Sequence, residues 1–240
     1  MKKGNQFSIG ILTLLGTIFL LGNCKKKDET YHIIESSVTD KEGNSYRAVT
    51  IGSQIWMAEN LKVTKYQNGD LIGTTDFYKN IENDISPKYQ WVNIDGAHTD
   101  EAGNLAAFGR LYTWAAVTDE RKICPLGWHI PTHDEWIQLS DYVGGNEIAG
   151  GELKEIGYTH WNSPNTAATD KYGFSARAGG TRSVIGGSGN LFMYGDWWSA
   201  TEYELNPERV WSVILTDDFP DISFSIYFKN QGNSVRCLKD

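Results

Sequence analysis

The most reactive side chains of this 240-residue chain are its three cysteines, at positions 24, 124 and 237. A thiol can carry a lipid, close a disulfide, bind a metal or act in redox catalysis. Neither Cys124 nor Cys237 has a partner at the C-x-x-C spacing that is typical of a zinc site. In an exported protein, a single pair of cysteines most simply forms a disulfide. The sequence therefore predicts a Cys124–Cys237 bond in an exported chain, which would stabilise the fold by roughly 4–5 kcal/mol in the chain-entropy model.

The N-terminus indicates that the chain is exported. Two lysines precede an apolar run over residues 7–21, which is too short to favour a permanent membrane span and is typical of a signal peptide. The run ends in LGNC, which resembles a bacterial lipobox and implies a diacylglyceryl thioether on Cys24, although Asn23 stands where Gly, Ala or Ser is usual. An ordinary signal peptide with an incidental cysteine is the alternative. We predict a signal peptide over residues 1–23, then a lipidated cysteine and polar tether over residues 24–37.

Histidines and aspartates are the other candidate metal ligands. His129 and His133 have the i, i+4 spacing of a metal-binding pair, but a proline and a helix N-cap between them place His129 before the helix. Asp217, Asp218 and Asp221 cluster in one segment and could offer oxygen ligands to calcium. Acidic turns in an acidic protein are more often simply solvated. We therefore predict no cofactor, with calcium at these aspartates as the alternative.

The remaining signals argue against catalysis and nucleic-acid binding. The sequence has no G-x-S-x-G nucleophile elbow and no phosphate-binding loop. Its formal net charge is −8, and no basic run follows the tether, so the electrostatic pattern of a nucleic-acid-binding protein is missing. We expect a protein that is not an enzyme and does not bind nucleic acid.

Aromatic side chains are the best candidates for ligand contacts. The chain has nine Trp residues, and an exposed indole can stack on a sugar ring. Trp91, Trp161 and Tyr194 lie in loop-like segments, and Trp197 neighbours Trp198 in one predicted strand, so one of the two should face outward. We predict that Trp91, Trp161, Tyr194 and Trp197 contact a ligand. The other tryptophans fall in periodic segments and are predicted core residues: Trp56, Trp114, Trp128, Trp136, Trp198 and Trp211.

These side chains must be positioned by a mixture of helices and strands. Alternation and turn residues over 38–58 predict a β-meander, and helical spacing predicts a helix over 105–117. A T-x-x-E capping box at Thr132 predicts the start of a second helix, which glycines at 144 and 145 end. A third, short helix is predicted over 146–156.

Further strands are predicted at 88–93, 173–178, 197–201, 210–215, 222–229 and 234–238. Two or three helices together with antiparallel strands define an α+β domain. The long segments 64–104 and 158–193 are the hypothesised binding region, because loops commonly carry recognition on such scaffolds.

Six blocks of the sequence resemble the Fibrobacter succinogenes major paralogous domain, a family of exported bacterial proteins. In the family's order these blocks are 52–61 (GSQIWMAENL), 109–114 (GRLYTW), 124–132 (CPLGWHIPT) with Glu135 and Trp136, 173–175 (GFS), 197–201 (WWSAT) and 234–237 (SVRC). The resemblance spans about residues 38–239 and implies one domain over residues 38–240.

The family in turn resembles the C-type-lectin-like fold, in its formylglycine-generating-enzyme or sulfatase-modifying-factor branch. A cysteine before the IPT block paired with one in the last strand fits Cys124 and Cys237. Formylglycine-generating enzymes use two reactive cysteines near the C-terminus that bind copper, whereas here only Cys237 lies there. A disulfide would leave no free thiol in the domain, so the resemblance does not extend to oxidase chemistry.

Together these features predict a lipoprotein of the cell envelope, held in the outer membrane by its lipid and facing the periplasm or the cell surface. Its lectin-like domain is expected to bind a protein or a glycan without catalysis. A structural envelope component with no specific ligand is the first alternative. An enzyme of the formylglycine-generating-enzyme-like fold is the second.

Overall fold

The computed structural model describes residue 1, residues 35–92 and residues 101–240. The helices and strands described all belong to one compact unit, Tyr31–Asp240. The predicted signal peptide, Cys24 and the tether up to residue 34 lie outside the described residues and stay predictions. None of the described helices combines the length and the apolar character that a membrane crossing needs.

The described residues form an α+β fold with mostly antiparallel strands, which confirms the predicted class. The described residues contain four short helices instead of two or three: α1 (Glu101–Phe108), α2 (Trp114–Val117), α3 (His133–Val143) and α4 (Asn146–Leu153). The strands are β1 (Glu35–Thr39), β2 (Ser45–Ile51), β3 (Gln54–Met57), β4 (Gly73–Thr74), β5 (Lys88–Trp91), β6 (Arg110–Tyr112), β7 (Trp128–His129), β8 (Thr181–Arg182), β9 (Ser188–Gly189), β10 (Tyr194–Glu202), β11 (Arg209–Thr216), β12 (Ser223–Phe228) and β13 (Leu238–Lys239).

The largest sheet joins the two ends of the domain. Its strand order is β1-β2-β3-β13-β7, and β1, β2 and β3 pair antiparallel as the predicted meander requires. The C-terminal strand β13 lies between β3 and β7, with Leu238 opposite both Trp56 and His129. The chain therefore returns at its end to the strands with which the described domain begins.

Three smaller sheets make up the rest of the strand structure in the described residues. Strands β10, β11 and β12 form an antiparallel sheet in that order, and β4, β5 and β6 form another in which β4 and β5 run parallel. Strands β8 and β9 form a two-stranded ribbon. The long antiparallel hairpins of the β10–β12 sheet end beside α2, because the Trp114 backbone N–H donates to the Lys229 carbonyl just after β12.

The predicted capping box begins α3. The Glu135 N–H donates to Thr132 Oγ1 over 3.3 Å, and the Thr132 N–H donates back to Glu135 Oε2 over 2.7 Å. These two bonds satisfy backbone donors that the first helical turn leaves without carbonyl partners. Gly144 ends the helix with φ at +124°, a backbone conformation that glycine adopts without the clash of a Cβ atom.

The predicted helix over 105–117 is wrong, because Gly109 breaks it. Gly109 has φ of +71°, and a Cβ atom there would lie 2.8 Å from the Leu61 carbonyl oxygen. The chain instead forms α1, then β6 paired with β5, and then the short α2. Because of this interruption, Trp114 does not lie where a continuous helix would place it.

Two predicted strands also differ from the structure. Residues 173–178 form no strand and make one isolated bridge, between Ala176 and Lys154. Of the last predicted strand, only Leu238 and Lys239 form a regular ladder, while Ser234 makes a single bridge with Trp197. In both segments single backbone hydrogen bonds to separate distant residues stand where a regular ladder was predicted, such as the Ala176 N–H to the Leu153 carbonyl and the Leu61 N–H to the Val235 carbonyl.

The core is built around aromatic rings that pack in tilted and edge-to-face arrangements. Trp136 lies with its ring centroid 4.6 Å from that of Trp56 and 6.4 Å from that of Trp197. The buried Arg236 guanidinium lies 4.2 Å from the Phe174 ring centroid and donates to Asn60 Oδ1 over 3.0 Å. Such packing of aromatic rings stabilises an interior beyond the burial of their area alone.

The structure joins Cys124 and Cys237 in a disulfide, with 6.0 Å between their Cα atoms. Cys124 lies just before β7 and Cys237 just before β13, so the bond fastens two neighbouring strands of the largest sheet. Both side chains are buried, and they are the only cysteines among residues 35–92 and 101–240.

Candidate binding cleft

A cleft of about 720 Å³ opens beside α2. It is lined by Glu82, Asn83, Asp84, Ile85, Thr113, Trp114, Ala115, Thr118, Val184, Pro207, Glu208, Phe228, Lys229 and Asn230. These residues come from α2, the end of β12, the β10–β11 turn and two loops. Its volume falls within the range of pockets that bind small ligands or side chains. We refer to it as the Trp114 cleft.

Trp114 is held rigidly at the cleft. Its indole Nε1 donates to the Ser199 carbonyl oxygen over 3.0 Å, and its backbone N–H donates to the Lys229 carbonyl oxygen over 2.9 Å. The Trp114 side chain is partly exposed. One part of it packs against the core, and the rest of it lines the cleft. The prediction that Trp114 is purely a core residue is therefore wrong, since the break at Gly109 brings it to the surface.

Two loops form the opposite wall. The Asn230 side-chain amide donates to the carbonyl oxygens of Ile81 and Glu82, and the Ile81 N–H donates to the Val184 carbonyl over 2.7 Å. Residues 82–85 and Val184 belong to the two long segments that were predicted to carry recognition. The other lining residues lie outside those segments, so the sequence located only part of the cleft.

Lys229 places its ammonium group over the indole. Its Nζ lies 4.5 Å from the Trp114 ring centroid and 2.5 Å from Glu202 Oε1. A cation over an aromatic face is attracted by the negative charge of the ring face, and the carboxylate adds an ion pair. The floor of the cleft is thus an aromatic face with a charged group on it.

Carboxylates outnumber cations among the lining residues. The lining includes the carboxylates of Glu82, Asp84 and Glu208, whereas Lys229 is the one cationic residue among the described residues that line it. Hydrogen bonds from Ser86, and then from Lys88, lower the pKa of Asp84 to about 2, so this carboxylate is ionised at neutral pH. The cleft can therefore bind through an aromatic face, through exposed apolar side chains and through negative charge.

The predicted ligand-contacting aromatics do not meet at this cleft. Trp161 and Trp197 are 1% and 0% exposed, so the prediction that they present exposed indoles is wrong. Trp161 Nε1 donates to the Ala176 carbonyl, and Trp197 Nε1 donates to Asn60 Oδ1. Both neighbouring tryptophans, Trp197 and Trp198, are buried, because the sheet is covered on both faces at that point. Trp91 and Tyr194 are partly exposed, and their role in binding stays a prediction.

The aspartates proposed for calcium surround a lysine. Lys154 Nζ donates to the Thr216 and Phe219 carbonyl oxygens over 2.7 and 2.9 Å, and its side chain is fully buried. Burial lowers the pKa of Lys154 to about 8, while the negative charges of Asp217, Asp218 and Asp221 act in the opposite direction. Within the described parts of the chain, no three His, Cys, Asp or Glu side chains converge as metal ligands, and the cofactor expectation, with calcium as its alternative, stays a prediction.

The two histidines of the HIPTH segment, residues 129–133, have separate roles. His129 lies between two carboxylates, with Nδ1 2.7 Å from Asp240 and Nε2 3.0 Å from Glu135. His133 stacks on Trp211, with 4.2 Å between ring centroids and an angle of 13° between the planes. Burial lowers the pKa of His133. The sequence assigned Trp211 to the core, whereas the structure places it partly exposed against this histidine.

Comparison with known proteins gives one match. The model of the family described as the Fibrobacter succinogenes major domain matches residues 49–239. The match covers the meander from β2 onward, the disulfide, the cleft and β13. No curated protein matches the chain, and no solved structure does.

Proposed function

The chain belongs to the Fibrobacter succinogenes major domain family, and from this premise we propose that it is an exported lipoprotein whose domain binds a ligand in the Trp114 cleft without catalysis. The cleft itself carries the proposal. The cleft combines a volume of about 720 Å³ with a rigidly held indole and several carboxylates. Ligand-binding sites share this mixture of apolar surface with a few polar groups.

The proposed scaffold is the C-type-lectin-like fold, in its formylglycine-generating-enzyme branch. Three features support it: the α+β architecture, the return of β13 to the first strands, and the disulfide between the segment before β7 and the segment before β13. A scaffold of this kind presents binding residues on loops and turns, as the loop residues 82–85 and the turn after β12 do here.

The proposed anchor is a lipid on Cys24 after removal of residues 1–23. Support comes from the lysines, the apolar run and the LGNC sequence at the N-terminus. We place the protein in the outer membrane of the cell envelope. Palmitate labelling of the wild-type chain, compared with Cys24→Ser, tests this part, since equal labelling of both would leave only a plain secretory signal.

The non-catalytic part of the proposal is supported by the disulfide. Cys124 and Cys237 are buried and bonded to each other, so neither supplies the free thiol that the oxidase chemistry of this fold branch would need. The protein is proposed to act by binding alone, with a protein or a glycan as ligand.

Arrays of glycans and of peptides, probed with the full chain in a non-ionic detergent, test the binding function. We expect a reproducible set of ligands whose binding persists when calcium is chelated. Failure to bind any array member, with no ligand-dependent rise in melting temperature, would favour a structural envelope component.

A further inference from the structure

The Trp114 cleft already contains a bound cation, and that cation belongs to the protein itself. Lys229 Nζ lies 4.5 Å from the Trp114 ring centroid and 2.5 Å from Glu202 Oε1. An indole face and a carboxylate are two groups that together bind an organic cation well. Lys229 thus occupies a cation-binding site that the Trp114 indole and the Glu202 carboxylate form.

The Trp114 indole and the backbone of Glu202 are held by bonds that do not involve the lysine ammonium. The indole donates from Nε1 to the Ser199 carbonyl over 3.0 Å, and Glu202 is the last residue of β10. The Lys229 side chain, by contrast, is a flexible stem that is 30% exposed. Its ammonium can therefore move into solvent while the indole and the strand stay in place.

The other cations near the cleft already have partners of their own among its lining residues. Lys88 Nζ lies 3.0 Å from a carboxylate oxygen of the neighbouring Asp84, and the Arg209 guanidinium lies 3.6 Å from the Phe228 ring centroid. Glu82 and Glu208 remain as exposed carboxylates on the lining. When Lys229 leaves the indole, negative charge dominates around it, which favours another cation and disfavours an anion.

The rim of the cleft favours the stem of a basic amino-acid side chain. Ile85 and Phe228, which line the cleft, are 88% and 43% exposed. Lysine and arginine carry a charged tip on several methylene groups, so they can pack against apolar side chains while the tip reaches an aromatic face. A neutral sugar can stack on the indole, but it carries no positive charge to replace the ammonium between Trp114 and Glu202.

We propose that the Trp114 cleft binds a lysine or arginine side chain of a protein ligand, and that Lys229 is an internal occupant that this side chain displaces. This inference rests on the proposed binding function and names the ligand's chemical class. Lys229 lowers the affinity of the free protein for a cation, because the ligand must first exchange with it.

Isothermal titration calorimetry on the full chain in a non-ionic detergent tests the proposal. The probe is Nα-acetyl-lysine methylamide, and its neutral counterpart is Nα-acetyl-norleucine methylamide. Lys229→Met should bind the lysine probe about tenfold more tightly than the wild type. Lys88→Met is the matched control, because it removes the same charge from an ion pair near the cleft without freeing an indole, and it should stay within about twofold of the wild type.

Three results would overturn the proposal: an unchanged affinity of Lys229→Met, an equal gain in Lys88→Met, or an equal gain for the norleucine probe. An unchanged affinity of Lys229→Met would mean that no cation site exists. An equal gain in Lys88→Met would mean that only overall charge matters. An equal gain for the norleucine probe would mean that the substitution only opened an apolar space. A second substitution, Glu202→Gln in the Lys229→Met chain, should remove at least half of the tenfold gain. Binding of a neutral glycan that depends on Trp114, without any gain in Lys229→Met, would sink this inference and leave the proposed function standing.

Discussion

The Tyr227 hydroxyl donates a hydrogen bond to Oδ1 of Asp196 across 3.1 Å, inside the β10–β12 sheet. Asp196 is fully buried, and its second carboxylate oxygen has no hydrogen-bond partner within the part of the chain that the structure describes. Burial raises the pKa of Asp196 to about 7, and the bond from Tyr227 offsets only part of this effect. A buried carboxylate so poorly paired is costly when ionised, which makes the stability of the domain depend on pH.

Asp196→Asn should remove that dependence. The folded pKa lies above the usual 3.8, so the protonated carboxyl stabilises the fold below about pH 4, and this stabilisation is lost as the pH rises through about 7. The variant should equal the wild type near pH 4 and exceed its unfolding free energy at pH 8 by up to about 4 kcal/mol. Denaturant unfolding at pH 4, 6 and 8 measures this. The exposed control Asp76→Asn should change little, and a wild-type pH slope retained in Asp196→Asn would contradict the assignment.

Lys154 gives the opposite sign at higher pH. Its folded pKa of about 8 lies below the usual 10.5, so the folded state releases a proton that the unfolded state still holds between these values. Stability therefore gains from Lys154 as the pH rises from 8 toward 10. The unfolding free energy of the wild type should increase relative to that of Lys154→Met over this interval. A constant difference between the two chains from pH 8 to 10 would show that the amine is not desolvated.

The disulfide should contribute substantially to stability. It links residues 113 positions apart, and constraining a loop of that size stabilises a fold by about 4–5 kcal/mol in the chain-entropy model. Replacing both Cys124 and Cys237 by serine should lower the unfolding free energy by about that amount in denaturant titrations. Cys24→Ser is the control, because it replaces a cysteine that is not part of the Cys124–Cys237 disulfide. A loss below about 1 kcal/mol in the double variant would contradict the expectation.

Gly109→Ala tests whether the helix break shapes the cleft. The substitution places a Cβ atom at positive φ and 2.8 Å from the Leu61 carbonyl oxygen, so it combines backbone strain with a clash. It should lower the unfolding free energy by about 2–4 kcal/mol and weaken ligand binding at the cleft.

Gly69→Ala is the matched control for that substitution. Gly69 also has positive φ, at +97°, but nothing lies within 4 Å of an added Cβ, so about 1 kcal/mol should be lost. Equal losses in the two variants would mean that contact with Leu61 does not matter.

Local signals in the sequence predicted the elements whose stabilising contacts are local. The capping box of α3 joins Thr132 to Glu135, three residues away, and the meander rests on turns between adjacent strands. The disulfide was also predictable, because export leaves one pair of cysteines in the domain. By contrast, the break at Gly109 depends on packing against Asn60 and Leu61, about 50 residues earlier, which helical periodicity does not register.

The cleft was harder to predict because its residues come from five segments far apart in the chain. Trp114 looked like a core residue, since its spacing fits an amphipathic helix that does not form. Trp161 looked exposed because it lies in a loop, yet that loop packs into the interior and the indole bonds to the Ala176 carbonyl. Position in a loop did not decide burial in either case; contacts between distant segments did.

Binding by Trp114 variants tests the central claim most directly. On the ligand-positive array members, Trp114→Ala and the cleft-filling Thr118→Trp should each lose at least about 90% of the wild-type signal, while Tyr158→Ala, an exposed aromatic residue outside the cleft, should keep it. Wild-type binding by folded Trp114→Ala and Thr118→Trp chains would contradict the claim that this cleft is the binding site.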